Sequence, residues 1–155
     1  MITSTSNQQM KNLTLLMKKA KARNEQGVFV AEGRKMFLEA PVEWVKQVCV
    51  SESFYETCMQ GNMQDCMKSC TPKHGEEKLN RKVLERLNET GYEIVSDNVF
   101  KSVSDTQTPQ GILCVIKKPE YALEEMLKGE QTHLLILESI QDPGNLGTMV
   151  RTGEG

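Results

Sequence analysis

Apolar residues recur at Met10, Leu13, Met17 and Ala20, with Leu16 beside them. That spacing predicts a helix with one buried face. Asn7 stands where a helix is capped, and Gly27 closes the turn that follows. Val28 to Ala31 reads as a buried strand ending in Glu32-Gly33, and a short helix from Arg34 to Glu39 stops at Pro41. A second strand runs from Val45 to Val50. The polar, Met- and Cys-rich stretch 53–76 reads as a helix and then a loop at Thr71 to Gly75. Leu79, Val83, Leu84 and Leu87 define a firm amphipathic helix that Gly91 terminates. Tyr92 to Val95 is a third strand, and Asp97 is placed to cap a short helix through Val99, Phe100 and Val103. Gly111 to Ile116 is a fourth strand, ending at Lys117-Lys118-Pro119.

Strands alternating with helices predict an α/β domain with a mostly parallel sheet, spanning 1–118. Residues 119–132 form a linker with a short helix from Tyr121 to Lys128. Segment 133–155 begins a second domain: a strand over His133 to Glu138, a Pro/Gly/Asn loop, and a helix that Asn145 is placed to cap. One strand and about two helical turns cannot bury their own faces, so this segment is expected to be the front of a larger unit.

Charge adds an asymmetry to this outline. Residues 1–47 carry eight Lys or Arg against four Glu, whereas the whole chain has a net charge of −2. The polar face of the first helix holds Lys11, Lys18, Lys19, Lys21 and Arg23, with no acid between Met10 and Arg23. Such a face is either simply solvated or a phosphate-contacting surface. No apolar run reaches membrane-spanning length, and the first residues lack the apolar centre of a secretory signal, so a cytoplasmic protein is expected. The five cysteines, Cys49, Cys58, Cys66, Cys70 and Cys114, are then reduced thiols. Cys58, Cys66, Cys70 and His74 have a spacing that one helix face would align, yet Pro72 and Gly75 interrupt it, so no metal is expected. With 5% aromatic residues the chain has no stacking platform, and Trp44, Phe29, Phe37 and Phe54 are assigned to the core.

The stretch from Leu134 to Gly155 carries candidate chemistry. A Gly/Pro/Asn loop feeding a helix N-terminus suits an anion, and Arg151 shares a helix face with Gly147. Neither a Walker loop nor a GxGxxG pattern is present. Taken alone, these residues also suit a nucleotide- or phosphate-binding α/β protein.

The segment from Leu137 to Thr152, LESIQDPGNLGTMVRT, closely resembles the first motif of the SpoU/TrmH methyltransferases, L-[ED]-x-[IV]-x-D-P-x-N-x-G-x-x-x-R-T. Phe29-Val30-Ala31-Glu32-Gly33 is similar to the F-x-x-E-G that opens the family's substrate-binding domain, and Val103 to Ile112, VSDTQTPQGI, looks like the segment that closes it. The resemblance implies a domain of the ribosomal and kink-turn RNA-binding kind, followed by the start of a knotted methyltransferase domain. It further implies ribose 2′-O-methylation of a structured RNA, rRNA rather than tRNA, with S-adenosylmethionine as donor. In the family that cofactor sits in the C-terminal knot, through which subunits pair as homodimers. Arg151 matches the motif-one arginine that activates the hydroxyl or holds the adjoining phosphate, and Asn145 matches the asparagine shaping the same pocket. Glu32, Arg34, Lys35 and Gln110 join the basic helix as candidate RNA contacts, although Glu32 is equally placed to cap the helix after it and Thr108 to Gly111 reads equally well as a plain turn. The family's later motifs are absent, and Gly153 stands where alanine is usual. The 155 residues are therefore expected to bind RNA, with little catalysis and no cofactor of their own. The alternative is a binding module that grips structured RNA and does no chemistry.

Overall fold

A computed structural model describes residues 1–63, 74–128 and 134–154. The chain divides into two compact units, Met1–Pro119 and Glu120–Gly155. In the first, the elements run α1 (Gln8–Lys18), α2 (Ala20–Glu25), β1 (Val28–Glu32), α3 (Arg34–Glu39), a 3-10 turn (Val42–Trp44), β2 (Val45–Ser51), α4 (Glu52–Met63), α5 (His74–Thr90), β3 (Glu93–Val95), α6 (Asp97–Val103) and β4 (Ile112–Lys117).

The sheet is mixed, not mostly parallel. Its order is β1-β4-β2-β3, and β4 runs antiparallel to both β1 and β2, leaving β2–β3 as the parallel pair. The alternation of strands and helices predicted parallel crossovers. Instead, the chain after α6 turns back through 104–111 and threads the last strand between the first two. The central position explains why β4 reads as an unbroken apolar run: Ile112 through Ile116 are all buried. Its side chains alternate between two cores. Leu113 and Val115 join Met10, Leu13, Leu16, Val99 and Phe100 beneath α1, α2 and α6. Ile112, Cys114 and Ile116 join Phe37, Cys58, Val83 and Leu87 beneath α3, α4 and α5. A full burial of each large apolar side chain contributes about 1.5–3 kcal/mol. Phe37 is buried, and Phe29, Trp44 and Phe54 pack against the second core, as their assignment to the interior required.

Local details refine the helices. The Asn7 side chain accepts from the Gln9 N–H at 2.8 Å and caps α1 as predicted. The basic helix is two helices, broken at the extended residue Lys19. The break is sealed by Arg23, whose Nη1 donates to the Leu16 and Met17 carbonyls at 2.7 and 3.0 Å. Asp97 is the first residue of α6 and not its cap; its carboxylate accepts from the Ser53 N–H and hydroxyl, at 3.2 and 2.9 Å, and so steadies the start of α4. The helix expected after Gly75 already begins at His74, so that glycine lies inside it. Cys66 and Cys70, and Thr71 to Lys73 of the expected loop, lie outside the described residues. A pairing that the sequence did not suggest ties down the start of the chain: Ile2 bridges Val95, donating to the Ile94 carbonyl at 2.7 Å.

Cys49, Cys58 and Cys114 are buried free thiols. Burial pushes them from an ordinary 9.0 up to about 11, about 11 and about 12. A raised folded-state value means stability that is intact below pH 9 and lost as pH climbs toward those values, because the unfolded thiols ionise first. A tenfold difference in an ionisation constant between the two states corresponds to about 1.4 kcal/mol. The gap in stability between the wild type and Cys114→Ala, read from urea midpoints, is therefore expected to narrow by about 2 kcal/mol between about pH 8 and about pH 10.5. An unchanged gap would mean that Cys114 ionises as easily folded as unfolded.

The unit Glu120–Gly155 contains α7 (Leu123–Leu127) and α8 (Pro143–Glu154). Residues 134–138 form no strand there, contrary to the expectation for His133 to Glu138, whose first residue is outside the described set. A β-strand exists only by pairing, and among the described residues this segment has no neighbour to pair with. None of the described side chains in this unit is buried, and Leu134, Leu135 and Ile136 are exposed.

Candidate nucleic-acid interface

The structure brings four of the sequence-derived candidates together. Glu32, Gly33, Arg34 and Lys35 form the turn from β1 into α3, and Gln110 ends the loop that leads into β4. The join is made by the Glu32 carboxylate. Its Oε2 accepts from the Ser104 hydroxyl at 2.8 Å, and its Oε1 from the Thr106 hydroxyl at 2.8 Å and the Gln110 N–H at 3.2 Å. Glu32 is thus not the cap of α3, which has no side-chain cap. It clamps the 104–110 loop, and hydrogen-bonded hydroxyl and amide donors surround its charge. Thr108 to Gly111 is irregular, with bends at Thr108 and Gly111, and the Glu32 carboxylate holds it at the Gln110 N–H.

Glycine is required on both sides of the junction. Gly33 has φ +113, and a Cβ there would stand 2.8 Å from the Gln110 Oε1. The Gln110 side chain therefore lies directly over Gly33. Arg34 extends from the same turn and donates to the Asn80 Oδ1 at 3.0 Å. Lys35 is exposed beside it. Two concavities flank the turn. One of 280 Å³ is lined by Glu32, Gly33, Lys35, Met36 and Leu79, with Arg34 and Gln110. The other, of 390 Å³, runs from Arg34 and Gln110 to Ser53, Phe54 and Thr57. Asn80, Ser53 and Thr57 are not legible in the sequence, because nothing in a helical polar residue marks it as the wall of a cleft. Ser104 and Thr106 are visible within the loop motif, but not their attachment to Glu32.

The remaining cations are elsewhere. Lys11, Lys18, Lys19 and Lys21 are exposed on α1 and α2, which cover the sheet face opposite to α3. Lys21 has Glu25 at 3.8 Å, a pair too exposed to hold it. Arg23 spends part of its guanidinium on capping α1 and is half-buried. The candidates thus fall into two groups, a lysine face and the clamp-side turn.

In α8 the cap is Asp142, not Asn145. The Asp142 Oδ1 accepts from the Gly144 N–H at 2.7 Å, and Pro143 occupies the first helical position, where its missing N–H costs nothing. Asn145 lies inside the first turn, and its side chain is exposed. The Arg151 guanidinium folds back along the helix: its Nη1 is 3.4 Å from where a Gly147 Cβ would be, and its Nη2 donates to the Thr148 hydroxyl at 3.4 Å. That is the i to i+4 placement expected from spacing. Gly147 leaves room for the guanidinium.

Residues 7–114 match a family profile described as the MRM3-like substrate binding domain. The 23S rRNA (guanosine(2553)-2′-O)-methyltransferase RlmP of Bacillus subtilis is 41% identical over 68 residues, which cover 43% of this chain and 25% of that protein. Human mitochondrial rRNA methyltransferase 3 is 26% identical over 150 residues, covering 94% of this chain and 31% of its own length. The chain thus spans a third or less of these two curated relatives. Among solved structures, an RNA 2′-O ribose methyltransferase superposes on 99% of this chain and 51% of its own, with a TM-score of 0.58 and 26% identity. The profile takes in α1, the Glu32-Gly33 turn and the 104–110 loop that Glu32 holds, and on that coverage the chain belongs to the MRM3-like substrate-binding domain family.

Proposed function

We propose that this chain is the RNA-gripping front of an rRNA ribose 2′-O-methyltransferase. Residues 1–118 act as the RNA-binding domain, of the ribosomal and kink-turn kind. Residues 119–132 are a linker, and 133–155 begin a knotted methyltransferase domain. The observation that carries the reading is the substrate-binding-domain match over 7–114, which covers both the lysine face and the clamped turn. The relatives' names favour rRNA over tRNA as the target. S-adenosylmethionine serves the whole enzyme as methyl donor, whereas the 155 residues by themselves bind RNA with little catalysis. The enzyme works in the cytoplasm as a homodimer joined through its knotted domain. No helix among the described residues is long and apolar enough to cross a membrane.

Phosphate contacts by Lys11, Lys18, Lys19 and Lys21, with the rest of Arg23, supply sequence-independent affinity. Arg34, Lys35 and Gln110 add contacts on the clamped side, with Glu32 holding them in register. Reversing the charge at Lys18, Lys19 and Lys21 together is expected to weaken binding to fragmented rRNA at least tenfold and to reduce the slope of affinity against salt by about two to three. Filter binding across a salt series reads both quantities. If affinity and slope are those of the wild type, the lysine face is only a solvated surface.

A further inference from the structure

We propose that the cleft beside the clamped turn receives a single unstacked nucleotide of the substrate RNA, its base between Phe54 and Gln110 and its phosphate against Arg34. This rests on the RNA-binding reading above and goes further by naming what the cleft holds. The cleft measures 390 Å³, within the range of roughly 300–1,000 Å³ typical of small-ligand sites. Its lining includes one charged residue, Arg34, and no carboxylate. The neighbouring acid, Glu32, is engaged by three donors and is not among the residues that line this cleft. Arg34 gives one N–H to Asn80 and has no carboxylate partner among the described residues, so the rest of its fork is available for a phosphodiester.

The other walls suit a base. The side-chain amide of Gln110 and the Nδ2 of Asn80 have no hydrogen-bond partner among the described residues, and together they offer donors and an acceptor to a base edge. Phe54 is half-buried and lines the cleft while it also packs against the second core. RNA is read mainly through unpaired nucleotides splayed into such sites, where an aromatic face and polar groups meet the base. Gly111 sets the floor. It tolerates no side chain, and its carbonyl accepts from the Ser51 N–H at 2.9 Å, so the cleft keeps its shape before RNA arrives.

The test has two readouts. In nuclear magnetic resonance spectra of the nitrogen-labelled chain, ribonucleoside monophosphates are expected to shift the side-chain amides of Asn80 and Gln110 and the Nε of Arg34. Inorganic phosphate alone should move only Arg34. Equal shifts from phosphate alone would reduce the cleft to an anion site and overturn the assignment of a base. In filter binding to fragmented rRNA, Arg34→Gln and the cleft-filling Thr57→Trp are each expected to weaken affinity about tenfold with wild-type melting temperatures. Thr57 is an exposed helix position, so its variant tests the cleft even if Arg34→Gln unfolds. If both variants bind like the wild type while the triple lysine reversal does not, RNA binding stands and the cleft is not part of it. If the wild type binds no RNA at all, both readings fall.

Discussion

Alanine in place of Arg151 is expected to lower the methylation rate of the full-length enzyme by at least about a hundredfold while leaving its RNA affinity unchanged, the scale at which one positioned donor acts on a developing oxyanion. A ribose hydroxyl is a poor nucleophile until its proton leaves or its alkoxide is stabilised. Arg151 is the cation of α8, and three local features aim it. Asp142 and Pro143 fix where the helix starts, Gly147 vacates the lane along which the side chain returns, and Thr148 offers a hydroxyl to one end of the fork. Lysine cannot reproduce a planar fork in that lane, so Arg151→Lys should recover only a small part of the rate. Single-turnover methyl transfer and RNA binding, measured on the same preparations, separate the two roles. A variant that loses RNA affinity in parallel with rate would place Arg151 in the RNA grip instead.

Gly111→Ala is expected to cost roughly 2–5 kcal/mol, combining the strain of a left-handed residue with a clash in a packed site. Gly111 has φ +78, and an added Cβ would run into the Phe54 Cβ and stand 3.0 Å from the Ser51 Oγ. Neither neighbour can retreat easily. Ser51 is buried at the end of β2, its N–H is bonded to the Gly111 carbonyl, and its hydroxyl receives the Phe54 N–H at 3.3 Å. Gly91 provides the control, with φ +71 but nothing within 4 Å of an added Cβ. Alanine there should cost about 1 kcal/mol, from backbone strain alone. Urea denaturation of the two variants compares clash with strain, and equal losses would mean that the Phe54 contact relaxes freely.

Periodicity carried most of the fold. The capped first helix, the four strands and the glycine-terminated α5 follow from spacing and turn residues alone. What it could not carry was direction. A buried run such as Ile112 to Ile116 looks the same whichever way it lies in a sheet, so the antiparallel insertion of β4 was invisible. The strand expected at 133–138 shows the complementary fault, for an apolar run promises a strand only where a partner exists. At the site, family motifs found Glu32 and Gln110 separately. The bonds that tie Glu32 to the 104–110 loop span 72 to 78 residues, a reach that no local pattern reports. Asp142 was missed as a cap because Asn145 is also a favoured capping residue, and the Pro143 at the first helical position decides between them.

Of the sheet's four strands the last in sequence is the one that separates the first two, and this imposes a timetable on the domain. As the chain leaves the ribosome, β1 and β2 emerge without the neighbour that each needs, and neither hydrophobic layer is closed until residues 112–117 have appeared. Closing such distant pairs is slow compared with local helix formation. The same arrival delivers Ser104, Thr106 and Gln110 to Glu32. A half-made chain would carry its lysines from the outset but have no clamped turn. On the RNA-binding reading proposed above, discriminating recognition would belong to the finished domain, and unselective attraction to nucleic acid would come first.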